Sequence, residues 1–361
     1  MLPARPELPR RLSLVTETAR ALRQSLLDGV WVEQLPGERD LCARLQVSRP
    51  TLRAALGELE REGILEVTTR RRRLICSGPL SWDHPPRPRL IAVISPRPLL
   101  AMPPSAAVMV DELRTDLARA GFELELIVNP GAFSENPDRT LESLVARTRA
   151  SAWIAFGSRE PMQRWFLKRQ LPCLVAGSCA SGIALPSIDL DYRATCRHAG
   201  GLLRAKGHRR IMLCLPEGAT GGEADSEAGL REALKGGPSG AGELSVIRHD
   251  GTAAHLSSLL DRELRSDHRP TAIVVARAVH VLTVVTHLQR RGIGIPDEVA
   301  IVSRDDEPFL QHITPTVARY TIAPSRFTTQ LSRAARQLAE TGSLPMRSTR
   351  LIPRFSPGET L

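Results

Sequence analysis

Residues 77–89, SGPLSWDHPPRPR, constrain the chain more than any other stretch. Proline has a fixed φ and no backbone N–H, so this segment can be neither a helix interior nor a central strand. It reads as an extended, fairly stiff spacer that keeps two domains apart. At 361 residues the chain is in any case too long for one typical core. On the N-terminal side apolar residues recur at helical spacing; on the C-terminal side strand-like and helix-like segments alternate. The expected organisation is a small domain over 1–76, the spacer over 77–89 and a larger domain over 90–361.

Residues 1–13 are rich in Pro and Arg and read as an unstructured tail. Over 13–27, Leu14, Val15, Ala19, Leu22, Leu26 and Leu27 repeat at helical spacing, and Asp28-Gly29 ends that helix. Leu35-Pro36-Gly37 turns the chain into a short helix over 38–45. Gln46-Val47-Ser48 makes a tight connection, and a further helix starts at Arg49. Ser48 suits an N-cap, and Pro50 sits in the first turn, where its missing N–H is harmless. Leu52, Ala55, Leu56 and Leu59 form the inward stripe, and Gly63 stops the helix. Arg49 and Arg53, four residues apart, project from one face. Two helices joined by a short turn, the second led by an arginine pair, can place guanidinium forks in the major groove of double-stranded DNA. Two β-rich pieces over 64–68 and 73–76 then form a hairpin, or wing, with Thr69, Arg70, Arg71 and Arg72 at its tip. Arginines there would lie along the phosphate backbone, adding salt-dependent affinity without reading sequence.

Through LPGERDL and VSRPTLRAALGELEREGIL, residues 14–76 resemble the GntR-type winged-helix domain. The resemblance implies that Arg39, Arg49 and Arg53 contact DNA, with Ser48 and Thr51 helping to set the helix on phosphates. At the wing tip the chain departs from the family: Arg70 to Arg73 stand where a glycine-rich turn is usual. Affinity at the wing is therefore expected to lean on charge.

Composition bears on the partner only through placement. The formal charge is +10, yet only Lys168, Lys206 and Lys235 are lysines, and such an arginine bias partly reflects genome composition. The six cysteines have neither paired nor zinc-type spacing, so no metal or cofactor is expected. No apolar run approaches the roughly 18 residues of a membrane helix. The N-terminus shows no export signal, which places the expected product in the cytoplasm, away from membranes.

Beyond the spacer, strands are expected over 90–94, 123–128, 152–156, 173–176, 210–215, 244–247, 272–275 and 299–302. Helices are expected over stretches such as 107–119, 140–149, 194–205, 253–265, 279–291 and 325–340. Several strands are continuously apolar, as in a parallel sheet covered on both faces. So many units favour two lobes over one sheet.

The second domain resembles the LacI/GalR-type effector domain, through LLRAKGHRRIMLC, IPDEVAIVSRDD, Thr314-Pro315 and PSRFTTQLSRAARQLAE. Together the two resemblances imply an N-terminal winged helix-turn-helix (α+β) followed by a two-lobed α/β periplasmic-binding-protein-like domain. In such a domain the effector lies in the cleft at the carboxyl ends of strands, and Asp305 matches the family's ligand-binding aspartate. Three polar positions differ from the family. Ser226 stands where an arginine is usual, Arg277-Ala278 replaces Asn-Asp, and Ser303-Arg304 replaces the glycine before the aspartates. Asp305, Arg277 and Ser226 are the candidate effector residues. Arg277 and Arg304 would make the cleft positive, suiting an acidic or phosphorylated sugar or another anion; equally, the cleft could bind nothing and serve dimerisation.

The leading expectation is a transcriptional regulator, a repressor by family default, acting as a homodimer on a pseudo-palindromic operator under control of a sugar-like effector. The alternative is a ligand-independent regulator whose C-terminal domain only dimerises. Catalysis has no support: there is no Schiff-base lysine motif, G-x-S-x-G, P-loop or H-E-x-x-H. A transport solute-binding protein would lack its export signal and leave the DNA-binding half unexplained.

Overall fold

The computed structural model describes residues 14–27, 30–31, 35–61, 64–67, 73–75, 89–218, 220–235, 240–345 and 348–361. The expected tail over 1–13, the wing-tip residues Arg70, Arg71 and Arg72, and residues 77–88 of the expected spacer lie outside them. Contacts gather into two compact units, Met1–Arg87 and Pro88–Leu361.

The first unit is built from α1 (Leu14–Leu27), α2 (Glu38–Leu45), α3 (Arg49–Arg61) and the antiparallel strands β1 (Leu65–Val67) and β2 (Arg73–Ile75). Its core is the set that helical periodicity picks out: Ala19, Leu22 and Leu26 from α1 against Leu52, Ala55, Leu56 and Leu59 from α3, closed by Leu35, Leu41, Ile64 and Leu65. Gln46 adopts a left-handed conformation at φ 53° and turns α2 towards α3. Ser48 then caps α3, its hydroxyl accepting from the Thr51 N–H at 3.3 Å. The segment before α2 is tied to the wing, the Leu35 N–H donating to the Arg73 carbonyl at 3.1 Å.

The second unit has two six-stranded sheets. One has the order β13-β7-β6-β5-β3-β4, formed by β3 (Leu90–Ser95), β4 (Glu123–Val128), β5 (Ala152–Phe156), β6 (Cys173–Ala176), β7 (Ser187–Leu190) and β13 (Ser348–Leu351). The other has the order β14-β12-β11-β10-β8-β9, formed by β8 (Arg210–Pro216), β9 (Glu243–His249), β10 (Ala272–Val275), β11 (Ala300–Ser303), β12 (Ala318–Thr321) and β14 (Arg354–Ser356). Pairing is parallel except between β12 and β14. Both faces of each sheet are covered, which is why the inner strands are apolar throughout.

The first lobe packs α4 (Pro104–Arg119) and α11 (Pro324–Thr341) on one face and α5 (Asp138–Arg147) and α6 (Glu160–Arg169) on the other. The second packs α9 (Ala253–Leu264) and α10 (Ala278–Arg290) on one face and α7 (Tyr192–Ala205) and α8 (Gly221–Leu234) on the other. The chain crosses between lobes three times: from β7 into α7, from β12 into α11, and from β13 into β14. Short connections at these crossings make a natural hinge. Among the described residues no helix is long and apolar enough to cross a membrane.

Four strands were not anticipated from sequence: β7, β12, β13 and β14. Each has only three or four residues and carries polar or charged side chains, as in SIDL and STRL. The helices α6 and α8 were also unassigned; α8 opens on two glycines that hide its periodicity.

Candidate functional site

On the first unit, Arg39, Arg49 and Arg53 are all exposed, the last two on the same helix. Glu38, the first residue of α2, organises the surface. Its carboxylate accepts from Arg53 Nε at 2.9 Å and from Arg73 Nη1 at 3.1 Å, and Arg73 Nε also reaches Glu60 at 2.6 Å. Arg53 first, and Arg73 with it, hold the Glu38 carboxyl below its ordinary pKa. Arg73 is thus turned inward, bracing the wing strand against α2 and α3, and its charge is already matched. Arg53 stays two-thirds exposed, restrained but accessible. Thr51 and Ser48 hydroxyls lie 2.8 Å apart at the start of α3, so both serve the cap.

In the second unit the candidate residues meet where strands β7, β10 and β11 end. Arg304, directly after β11, is fully buried. Its Nε and Nη2 donate to the two Asp305 carboxylate oxygens at 3.0 and 3.3 Å, and Nη1 donates to Ser226 Oγ at 2.7 Å. The guanidinium also lies 3.9 Å from the centroid of the Tyr192 ring, a close cation–π contact. Burial opposes its charge, but Asp305 and this setting keep its pKa above the ordinary arginine value. Arg277, at the N-cap of α10, donates to Glu223 Oε1 at 2.8 Å and lies 3.6 Å from Asp305. Burial raises the Glu223 pKa, but Arg277 and Thr220 outweigh it and the carboxyl ends below its usual range.

Close helix packing brings these groups together. A Cβ on Gly229 of α8 would lie 2.2 Å from the Arg193 carbonyl of α7, and one on Gly222 would lie 2.8 Å from the Tyr192 ring. Only glycine lets the two helices approach this far. A capping box of Thr220 and Glu223 starts α8, so Glu223 serves both its helix and Arg277.

The first lobe supplies Asp189 of β7 and Arg350 of β13. Asp189 is almost fully buried and accepts from Ser178 Oγ at 2.7 Å; burial pushes its pKa up. Arg350 donates to Ser178 Oγ at 3.0 Å and, across the lobes, to Asp225 of α8 at 2.7 Å.

Asp305 and Arg277 lie 3.6 Å apart, and both keep part of their surface open. Ser226 does not join them as a ligand-facing group. It is wholly buried, donates to the Gly222 carbonyl at 2.7 Å and accepts from Arg304, so its one proton is already used. The guanidinium that Ser226 meets is that of Arg304, at the end of β11. Nor is the cleft simply positive: Arg277 and Arg304 are matched by Glu223 and Asp305. Tyr192, Asp189, Glu223 and Arg350 were missed; of these only Glu223 left a sequence signal, the T-x-x-E spacing of its capping box.

Among known proteins, residues 14–75 match the family of bacterial regulatory proteins, gntR family, and residues 184–361 match the periplasmic binding protein-like domain. The HTH-type transcriptional regulator reg1 of Streptomyces lividans is 26% identical over 299 residues, covering 76% of this chain and 82% of that protein. The HTH-type transcriptional regulator MalR of Streptomyces coelicolor is 26% identical over 296 residues, with 76% and 82% covered. A solved regulatory protein of the LacI family from Chloroflexus aggregans matches with a TM-score of 0.65 at 16% identity, covering 75% of this chain and 98% of its own. The transcriptional regulator CelR, solved as a cellobiose complex, matches with a TM-score of 0.64 at 18% identity, covering 97% and 100%. These structural likenesses establish the fold, the two-lobed α/β architecture expected from sequence. The sequence relatives are transcriptional regulators, not enzymes.

Proposed function

The chain joins a gntR-family regulatory domain to a periplasmic-binding-protein-like domain, and we propose that it is a transcriptional regulator whose α3 reads operator DNA under control of a small molecule in the cleft of the second unit. The observation that carries this reading is the pairing of two features. An exposed arginine face on a capped helix sits in a domain with its own core. A donor–acceptor cluster sits at the carboxyl ends of strands in the other domain. Arg49 and Arg53 are assigned to base edges or adjacent phosphates, Arg39 to phosphate, and Ser48 with Thr51 to the cap that presents them. Arg70, Arg71 and Arg72 are assigned to the phosphate backbone on charge alone.

The effector this cleft favours is an uncharged polyhydroxy compound rather than an anion. Asp305 and Arg277 supply acceptors and donors that pair with vicinal hydroxyls, while their mutual neutralisation leaves no surplus positive charge to balance a phosphate or carboxylate. The cellobiose complex of CelR supports a sugar. Ser226 belongs to this site as the support of Arg304. A ligand-independent regulator is disfavoured, since the cleft keeps such a cluster and its relatives include a sugar complex.

The same reading makes the protein a cytoplasmic homodimer, with two recognition helices meeting half-sites of a pseudo-palindrome, and a repressor that ligand closure releases. Val279 and Leu282, exposed a turn apart on α10, support an apolar contact between copies. The test is a thermal-shift screen of neutral and acidic sugars, followed by operator release assays on Asp305→Asn and Arg277→Ala. Both variants should bind DNA normally and lose effector-dependent release; unchanged release in both would overturn the assignment.

A further inference from the structure

The two lobes also meet away from the cluster. Helix α4 of the first lobe cannot cap itself: its N-cap is Pro103, its first residue is Pro104, and no local side chain accepts from its first turn. The acceptor comes from the other lobe. Glu307, four residues beyond the end of β11, is buried at 8% exposure. One carboxylate oxygen accepts from the Ser105 N–H at 3.0 Å and the other from Ser105 Oγ at 2.5 Å. An anionic group at this position is favoured both by the unsatisfied N–H groups and by the helix dipole. β3, which leads into α4, is separated from β7 in its sheet by β5 and β6, so the contact ties the lobes at a second place besides the strand β13. Arg350 and Asp225 bridge the lobes from the hinge-side strand β13.

We propose that Glu307 is a latch: a helix cap supplied across the cleft, which makes order in the first turn of α4 depend on closure of the lobes. Opening the cleft strips α4 of the polar cap that Glu307 provides; closing restores it. Effector binding between the lobes therefore acts on α4 through Glu307. This last step rests on the cleft being the effector site, whereas the latch itself does not.

Hydrogen exchange of the full chain, with neither effector nor DNA present, separates the two. Three regions are read: the first turn of α4, the cross-lobe approach of Gly221 to Ser178 and Cys179, and the outer helix α9 as control. A Cβ on Gly221 would lie 2.5 Å from the Cys179 carbonyl, so this is a tight approach of one lobe to the other. Glu307→Ala should speed exchange on the order of tenfold in the α4 turn, the size of a lost cap, and also at the cross-lobe approach, leaving α9 unchanged. Adding Pro103→Asp gives α4 a cap of its own; it should restore the α4 turn but not the cross-lobe protection. If Glu307→Ala fails to fold, Ser105→Ala tests the same pair, with a smaller change expected in both regions. Faster exchange confined to α4, or no change in either region, would overturn the latch. Since no effector enters the measurement, its outcome is independent of which ligand the cleft takes.

Discussion

Removing the Asp305 carboxylate should cost the second unit far more than a partly exposed aspartate usually would. Arg304 is 1% exposed and holds both Asp305 oxygens; its other contacts, Ser226 and the Tyr192 ring, are neutral. Asp305→Ala leaves that guanidinium buried beside no bonded carboxylate, a change that costs roughly 3–5 kcal/mol. For a unit of this size each kcal/mol corresponds to roughly 2–4 °C, so Tm should fall by roughly 6–20 °C. Scanning calorimetry of the full chain is the assay, because the winged unit has its own core and its transition should stay in place. The double variant Arg304→Met with Asp305→Ala removes both charges and should recover most of the loss, since an apolar replacement for a buried pair is often near neutral. A Tm for Asp305→Ala within about 2 °C of the parent would refute the reasoning, as would a double variant no better than the single one.

Three further outcomes are expected. Arg49→Ala should weaken DNA binding and, if it meets a phosphate, reduce the salt slope by about one; fluorescence anisotropy across a salt series reads this. His280 and His249 pack edge to face with ring centroids 4.1 Å apart, and burial, followed for His280 by its neighbour, lowers both pKa values, that of His280 to about 4. The folded state then refuses protons that the unfolded chain accepts. Stability should hold above about pH 6.5 and fall as pH drops from there towards 4, by on the order of 3 kcal/mol from His280. Urea titrations should show this slope flattened in His280→Asn. Gly222→Ala should push Tyr192 off Arg304, because the new Cβ would lie 2.8 Å from the ring; loss of the effector-induced thermal shift with DNA binding kept is the expected readout.

The parts legible in the sequence are those fixed by neighbours. The helix pair was readable because its cap, turn and apolar stripe all lie between residues 35 and 61, and the inner strands because both faces of their sheets are buried. β13 escaped because its partner is more than 150 residues away, Ser348 pairing with Ser187, and β7 because it is a four-residue strand with polar positions. The site divides in the same way. Asp305 and Arg277 could be placed from local motifs, but Arg304 meets Ser226 across 78 residues and Arg350 meets Asp225 across 125. No spacing in the chain announces such contacts, and Arg304 in particular read as a cleft-facing charge before its burial under Tyr192 was seen. Glu38 was hidden differently: its role depends on Arg53 and Arg73 arriving from separate elements.

The central claim is that DNA reading and ligand sensing reside in different units and are coupled. The most direct measurement is operator binding by the full chain, with and without a sugar identified by thermal shift, in parent, Arg49→Ala and Asp305→Asn proteins. The account predicts that Arg49→Ala loses operator affinity but keeps the thermal shift, while Asp305→Asn keeps operator affinity but no longer responds to the sugar. Loss of both properties together in either variant, or operator release that persists in Asp305→Asn, would contradict it.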